Sequence, residues 1–268
     1  MSVSHPPDTA KQLANYMKSY SEINKPPLQK KQPITWGLYA TVIWGVLVTV
    51  VYAAVQLLAM QAYVRGTQEG LSKHSLGSNE YNGVALSLSS FATLIICGLL
   101  LCCIIKLKKK AIISDYLATH KISIRQVFYW SLAALIFTLS IDSLTYLQGR
   151  PVVVDFMTHI YTSTSQLWLL CLALIITAPL FEELFFRGFL FTGLSQSRLG
   201  NNGAVIITSL AWSVIHLQYN LYGIFTIFIT GLLLGVARVK TGSVGAPILM
   251  HALMNGIALI ETAIVVAQ

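Results

Sequence analysis

The feature that most limits how this chain can fold is the length of its segments without Asp, Glu, Lys or Arg. These segments cover 32–64, 81–105, 126–141, 156–181, 199–237 and 241–260. A helix needs about 20 apolar residues to cross the hydrocarbon of a bilayer. Only 10% of the 268 residues are charged, whereas an average soluble domain has about 25%. The pattern excludes a soluble globular domain and predicts an all-α, polytopic bundle of transmembrane helices.

The charge-free segments predict about seven membrane-spanning helices, or eight if one segment re-enters the membrane. The run 199–237 is too long for one helix, and the polar triplet Gln218-Tyr219-Asn220 divides it. The predicted spans are 36–63, 83–105, 127–147, 165–193, 203–217, 221–238 and 245–266.

The distribution of basic residues predicts how the chain is oriented in the membrane. Lys and Arg are concentrated in the N-terminal tail and in 106–126, and they are sparse in 64–82 and 148–164. Basic residues favour the cytoplasmic side, so we expect a cytoplasmic N-terminus and, with seven spans, a C-terminus outside. The net charge of +8 therefore indicates membrane orientation, with the lipid bilayer as partner and no nucleic acid. The lysine-flanked architecture favours a bacterial inner membrane.

Three regions follow from this organisation. Residues 1–33 form a polar cytoplasmic tail, 34–164 contain the N-terminal transmembrane helices with a basic cytoplasmic loop, and 165–268 form a helical core that contains most of the intramembrane polar residues. Within the loop, 111–125 has apolar residues at Ile112, Ile113, Tyr116 and Leu117. These positions are compatible with a short helix at the membrane surface or with a plain basic loop.

Three ionisable residues lie within the predicted fourth span. Glu183 and Arg187 are four residues apart, which permits an ion pair on one helix face. Glu182 points about 100° away from Glu183 and has no cation nearby in the sequence, so it is a candidate general base. Alternatively, all three form one structural ion network. Pro179 removes a backbone hydrogen bond and is predicted to kink the helix just before the acidic pair.

Two histidines and an amide follow on later helices. His216 is either catalytic or structural, with Trp212 four residues earlier packing on its ring. His251 and Asn255 share a helix face, where both could donate hydrogen bonds to a developing oxyanion or hold two helices together. A base, imidazoles and an oxyanion stabiliser, without a Ser or Cys nucleophile, are the groups needed for water-mediated hydrolysis of an amide.

These residues form three motifs, Glu182-Glu183-x-x-x-Arg187, Trp212-x-x-x-His216 and His251-x-x-x-Asn255. In this order they resemble the motifs of the CPBP family, the CAAX-protease and bacteriocin-processing intramembrane proteases, over about 170–260. Trp212 is a departure, since the family usually has Phe there.

The resemblance implies an intramembrane endopeptidase with a catalytic core at 165–268. Glu182 would activate water with the help of His216, His251 and Asn255 would stabilise the oxyanion, and Glu183 and Arg187 would support them. The mechanism would be either metal-free or zinc-dependent, and in the second case Glu182, His216 and His251 would be the zinc ligands. Against zinc, the chain lacks an HExxH helix.

Two alternatives to an active protease are compatible with the sequence. One is a non-enzymatic membrane protein, such as a transporter or a scaffold that binds a partner helix, since intramembrane Glu and His residues also serve in proton relays. Many transporters consist of two halves that each contain a broken helix, and this sequence shows no such repeat. An inactive family member is the other. For the protease, the substrate would be a peptide or a membrane protein, such as a prenylated C-terminal tail or a bacteriocin leader.

Overall fold

A computed structural model describes residues 10–23, 32–68 and 82–268, and within these ranges the chain is helical without strands. The contacts divide the chain into two units, Met1–Pro33 and Ile34–Gln268. The first unit contains helix α1, Ala10–Ile23, whose Tyr16 and Tyr20 rings stack 6.2 Å apart. The second unit contains α2 Leu38–Gln68, α3 Gly83–Leu107, α4 Ile113–Tyr116, α5 Ile124–Leu147, α6 Asp155–Thr162, α7 Leu167–Ser195, α8 Gly200–Val214, α9 Leu221–Thr241 and α10 Gly245–Val266.

The all-α, multi-pass prediction is confirmed. Six helices of the described residues are long and apolar enough to cross a membrane, namely α2, α3, α5, α7, α9 and α10. The span predicted at 203–217 corresponds to α8, which has only 15 residues and, at about 22 Å, is shorter than these six helices. It ends at Val214, and the polar residues Gln218, Tyr219 and Asn220 lie in the turn that leads to α9. The division of the second unit at 164/165 stays a prediction.

One end of the second unit, which we call the basic end, gathers the start of α2, the end of α3 and the start of α10. The Trp36 indole donates to the Ile104 carbonyl at 3.2 Å, and the Val244 amide donates to the Ala118 carbonyl at 2.9 Å. The end of α7 lies here too, since the Thr35 hydroxyl is 2.9 Å from the side-chain oxygen of Gln196.

The opposite end, which we call the far end, holds the turn between α8 and α9. The Tyr222 hydroxyl at the start of α9 is 2.8 Å from the Thr145 hydroxyl at the end of α5. The Tyr219 ring lies 6.2 Å from the Phe156 ring of α6. Short as it is, α8 therefore connects the basic end to the far end, and α9 returns.

The segment 111–125 differs from both sequence expectations. Its only helix is the single turn α4, and Tyr116 and Leu117 are buried. The Tyr116 ring stacks on Phe189 of α7 at 5.3 Å, and burial raises its pKa to about 12. Tyr116 and Leu117 thus pack against the protein instead of the membrane surface, because the basic end of α7 offers them a hydrophobic partner, whereas Ile112 is exposed.

We expect the two ends of α10 to lie on opposite sides of the membrane from each other, with Gln268 on the side away from Lys121. In a variant lacking the native cysteines, Gln268→Cys and Lys121→Cys should react with an impermeant maleimide from opposite faces of sealed vesicles. Labelling of both positions from one face would contradict the crossing of α8.

Candidate active site

All four side chains predicted to be catalytic line one cavity of about 460 Å³. Glu182 lies near the middle of α7, His216 follows the end of α8, and His251 and Asn255 lie on the first half of α10. The rest of the wall comes from α2, α3, α5, α6 and α9. Residues separated by up to 73 positions in the sequence thus line one cavity.

The carboxylate of Glu182 has a neighbour that the sequence did not predict. The indole N–H of Trp212 donates to Glu182 Oε2 at 2.6 Å. Trp212 is buried, and Glu182 is half-buried at the cavity wall. The sequence placed Trp212 only against His216, which is also correct, since the two ring centroids are 5.1 Å apart.

Glu183 and Arg187 form the predicted ion pair, and both are fully buried beside the cavity. Arg187 Nη1 donates to Glu183 Oε1 at 3.0 Å. The same oxygen is 2.9 Å from His251 Nδ1, while Arg187 Nη2 donates to the Gly231 carbonyl at 3.2 Å. Glu182 takes part in none of these contacts. The alternative in which Glu182, Glu183 and Arg187 form a single ion network is therefore not found.

Both imidazoles are held by Nδ1. His216 Nδ1 is 2.8 Å from the Trp212 carbonyl, and a carbonyl can only accept, so this nitrogen carries the proton. His251 Nδ1 faces the Glu183 carboxylate, which likewise accepts. In each ring Nε2 is then the nitrogen left for chemistry: a proton acceptor when the ring is neutral and a donor when it is charged.

Asn255 is held by an irregularity in α7. The stretch Ala173–Thr177 is π-helical, with the Ala178 amide donating to the Ala173 carbonyl five residues back. The next such bond would need an amide proton on Pro179, which has none. The Leu174 carbonyl is thus left over, and Asn255 Nδ2 donates to it at 2.8 Å. The sequence predicts a kink at Pro179; what the structure shows before Pro179 is a π-helical turn whose leftover carbonyl anchors Asn255.

A second π-helical stretch, Leu184–Leu190, follows the glutamate pair. It is fixed from α9 by Arg238, whose Nε donates to the Arg187 carbonyl at 3.0 Å and whose Nη2 donates to the Thr192 hydroxyl at 3.3 Å. π-Helical turns are frequent at functional sites. Here two of them flank the short α-helical segment Ala178–Glu183 that carries both glutamates.

The three potential zinc ligands do not fit a metal site as they are placed. Within the described residues, we find no group of three or more His, Cys, Asp or Glu side chains that could hold a metal ion. Glu182, His216 and His251 therefore do not form one. Glu182 is instead bonded to an indole N–H.

The cavity has a further intramembrane carboxyl that the sequence analysis gave no role. Asp142 of α5 lines it and lies close to Glu261 of α10. The pair joins two adjacent helices, and its signal in the sequence was only the presence of two ionisable residues within spans.

Comparison with known proteins identifies the segment that contains the cavity residues of α7 to α10. Residues 164–257 match the family model described as "Type II CAAX prenyl endopeptidase Rce1-like". An uncharacterised 24.3 kDa protein of Escherichia coli is 36% identical over 105 residues, which cover 36% of this chain. The match spans about half of that relative, 46% of its length. No solved structure matches the chain significantly.

We expect the two adjacent glutamates to differ in their effect on stability. Glu183→Gln leaves Arg187 buried without its counter-ion and should lower the free energy of unfolding by about 3–5 kcal/mol. Glu182→Gln keeps an acceptor for Trp212 and should cost less than about 1 kcal/mol. Denaturant unfolding in one detergent measures both, and equal losses would contradict the separate roles.

Proposed function

We propose that this integral membrane protein is an intramembrane endopeptidase, because residues 164–257 match the family model of the Rce1-like type II CAAX prenyl endopeptidases. It hydrolyses a peptide bond of a peptide or membrane-associated protein substrate. The observation that carries the proposal is the meeting of Glu182, His216, His251 and Asn255, from three motifs, in one cavity. A protease of this type needs a water, a base and an oxyanion stabiliser in one place.

The first step is activation of water by Glu182. Its Oε2 is occupied by the indole N–H, so Oε1 takes the proton as the water oxygen attacks the carbonyl carbon of the substrate. His216 assists through Nε2, which accepts a hydrogen bond from the same water. The Trp212 carbonyl keeps the His216 ring in the tautomer that this requires.

The second step is stabilisation of the tetrahedral intermediate. Asn255 uses one amide proton on the Leu174 carbonyl and has a second for the oxyanion. His251 donates from Nε2 when its ring is protonated, with Nδ1 held at the Glu183 carboxylate. When the intermediate collapses, the C–N bond breaks and the proton held by Glu182 goes to the leaving amine.

The basic end is proposed to face the cytoplasm of a bacterial inner membrane. Lys106 lies in the last turn of α3, and Lys108, Lys109 and Lys110 follow the helix there, which is the expected side for clustered lysines. The same labelling of Lys121→Cys in right-side-out vesicles tests this orientation.

We expect Glu182→Gln to reduce hydrolysis by a factor of about 10²–10⁴, the usual contribution of a general base. Terminal peptide mapping of membranes from a strain lacking the wild-type gene would compare cells expressing each form and would also reveal the cleaved bond. Glu261→Gln is the matched control, because it makes the same change to a membrane carboxyl that does not line the cavity. Undiminished processing with Glu182→Gln would contradict the hydrolase and favour a transporter, a scaffold or an inactive relative.

Hydrolysis is proposed to need no bound metal, since the side chains of the site supply a base and oxyanion donors and are not grouped around a metal position. We expect the purified protein to keep its activity after treatment with a chelator and to contain far less than one zinc per chain by elemental analysis. Stoichiometric zinc whose removal abolishes cleavage, and whose return restores it, would contradict this proposal.

A further inference from the structure

Trp212 contacts four ionisable residues at the site, namely Glu182, Arg187, His216 and His251. Its ring centroid is 5.1 Å from that of His216 and 5.2 Å from that of His251, in both cases edge to face. The Arg187 guanidinium lies over the ring, with Cζ at 4.6 Å from the centroid. The indole N–H is directed at Glu182 Oε2.

The ring contacts and the N–H contact have different chemical requirements. An aromatic face attracts a guanidinium and an aromatic edge packs on an imidazole whether or not the ring carries a donor. The bond to Glu182 needs the N–H, and hydrogen bonds to an ionised acceptor are among the stronger ones in proteins. Phe at this position would preserve the first set of contacts and remove the second.

The need for such a bond follows from the position of Glu182. Its side chain is half-buried at the wall of a cavity and has several rotatable bonds, whereas the buried Glu183 is held by Arg187 and His251. A general base must present one chosen oxygen to the water within hydrogen-bond reach. A donor fixed to Oε2 gives the carboxylate one orientation.

We propose that Trp212 is a positioning residue whose indole N–H holds Oε2 of Glu182 and leaves Oε1 for the attacking water. The effect on hydrolysis rests on the proposed function, whereas the contact between the indole and the carboxylate does not. The two parts are therefore tested by separate measurements.

The contact is tested by NMR of protein labelled with ¹⁵N at its five tryptophans. Trp212→Phe assigns the Trp212 indole resonance. We expect Glu182→Gln to move that resonance upfield, because an amide oxygen is a weaker acceptor than a carboxylate. Trp36 is the internal control, since its indole donates to the Ile104 carbonyl at the basic end and should not respond.

The role is tested by the kinetics of Trp212→Phe on the substrate identified by terminal mapping. We expect kcat to fall by about ten-fold or more, as loss of a hydrogen bond to a charged group predicts, with KM within about two-fold because substrate contacts are unchanged. Trp36→Phe should leave both constants unchanged. A thermal melt of each variant confirms that it is folded.

The outcomes are distinguishable. An unmoved Trp212 resonance in Glu182→Gln would overturn the contact. The NMR measurement requires no enzymatic activity, and it uses the Trp212→Phe protein only to assign the resonance. A moved resonance with unchanged kcat in a folded Trp212→Phe would overturn the positioning role. If Glu182→Gln itself leaves hydrolysis intact, the proposed function fails, while the resonance still reports on the contact.

Discussion

The buried pair of Glu183 and Arg187 is the interaction on which the rest of the site depends. Two charges without solvent are costly unless they are paired and hydrogen-bonded, and here each makes a further contact with a different helix. Glu183 reaches His251 on α10, and Arg187 reaches the Gly231 carbonyl on α9 and the Trp212 ring on α8. The requirement to satisfy this pair therefore fixes α7 relative to the three helices that follow it.

Much of this arrangement could be predicted from local spacing. The Glu183–Arg187 bond follows from their separation by four residues on a helix, and the packing of Trp212 on His216 follows for the same reason. The long apolar helices follow from charge-free runs. Each of these features depends on the geometry of a single helix, which the sequence expresses directly.

The features that were missed depend on how helices pack against one another. The sequence does not show that the N–H of Trp212 points at Glu182, since that contact joins α8 to α7. It does not show that Tyr116 is buried under Phe189, because an apolar residue in a loop fits the membrane surface equally well. The bond from Asn255 to the Leu174 carbonyl could be predicted only in part. Pro179 shows in the sequence that one amide proton is missing from the helix, but Asn255, which compensates for it, lies 81 positions from Leu174.

The short helix α8 has a consequence for the lipid around it. Its length of about 22 Å is less than the hydrocarbon thickness of about 30 Å, and the exposed Gln218 and Asn220 follow immediately. A bilayer adapts to a short hydrophobic element by thinning beside it. We therefore expect headgroups and solvent to be drawn inward next to His216, where this thinning of the membrane would bring water to the proposed hydrolysis.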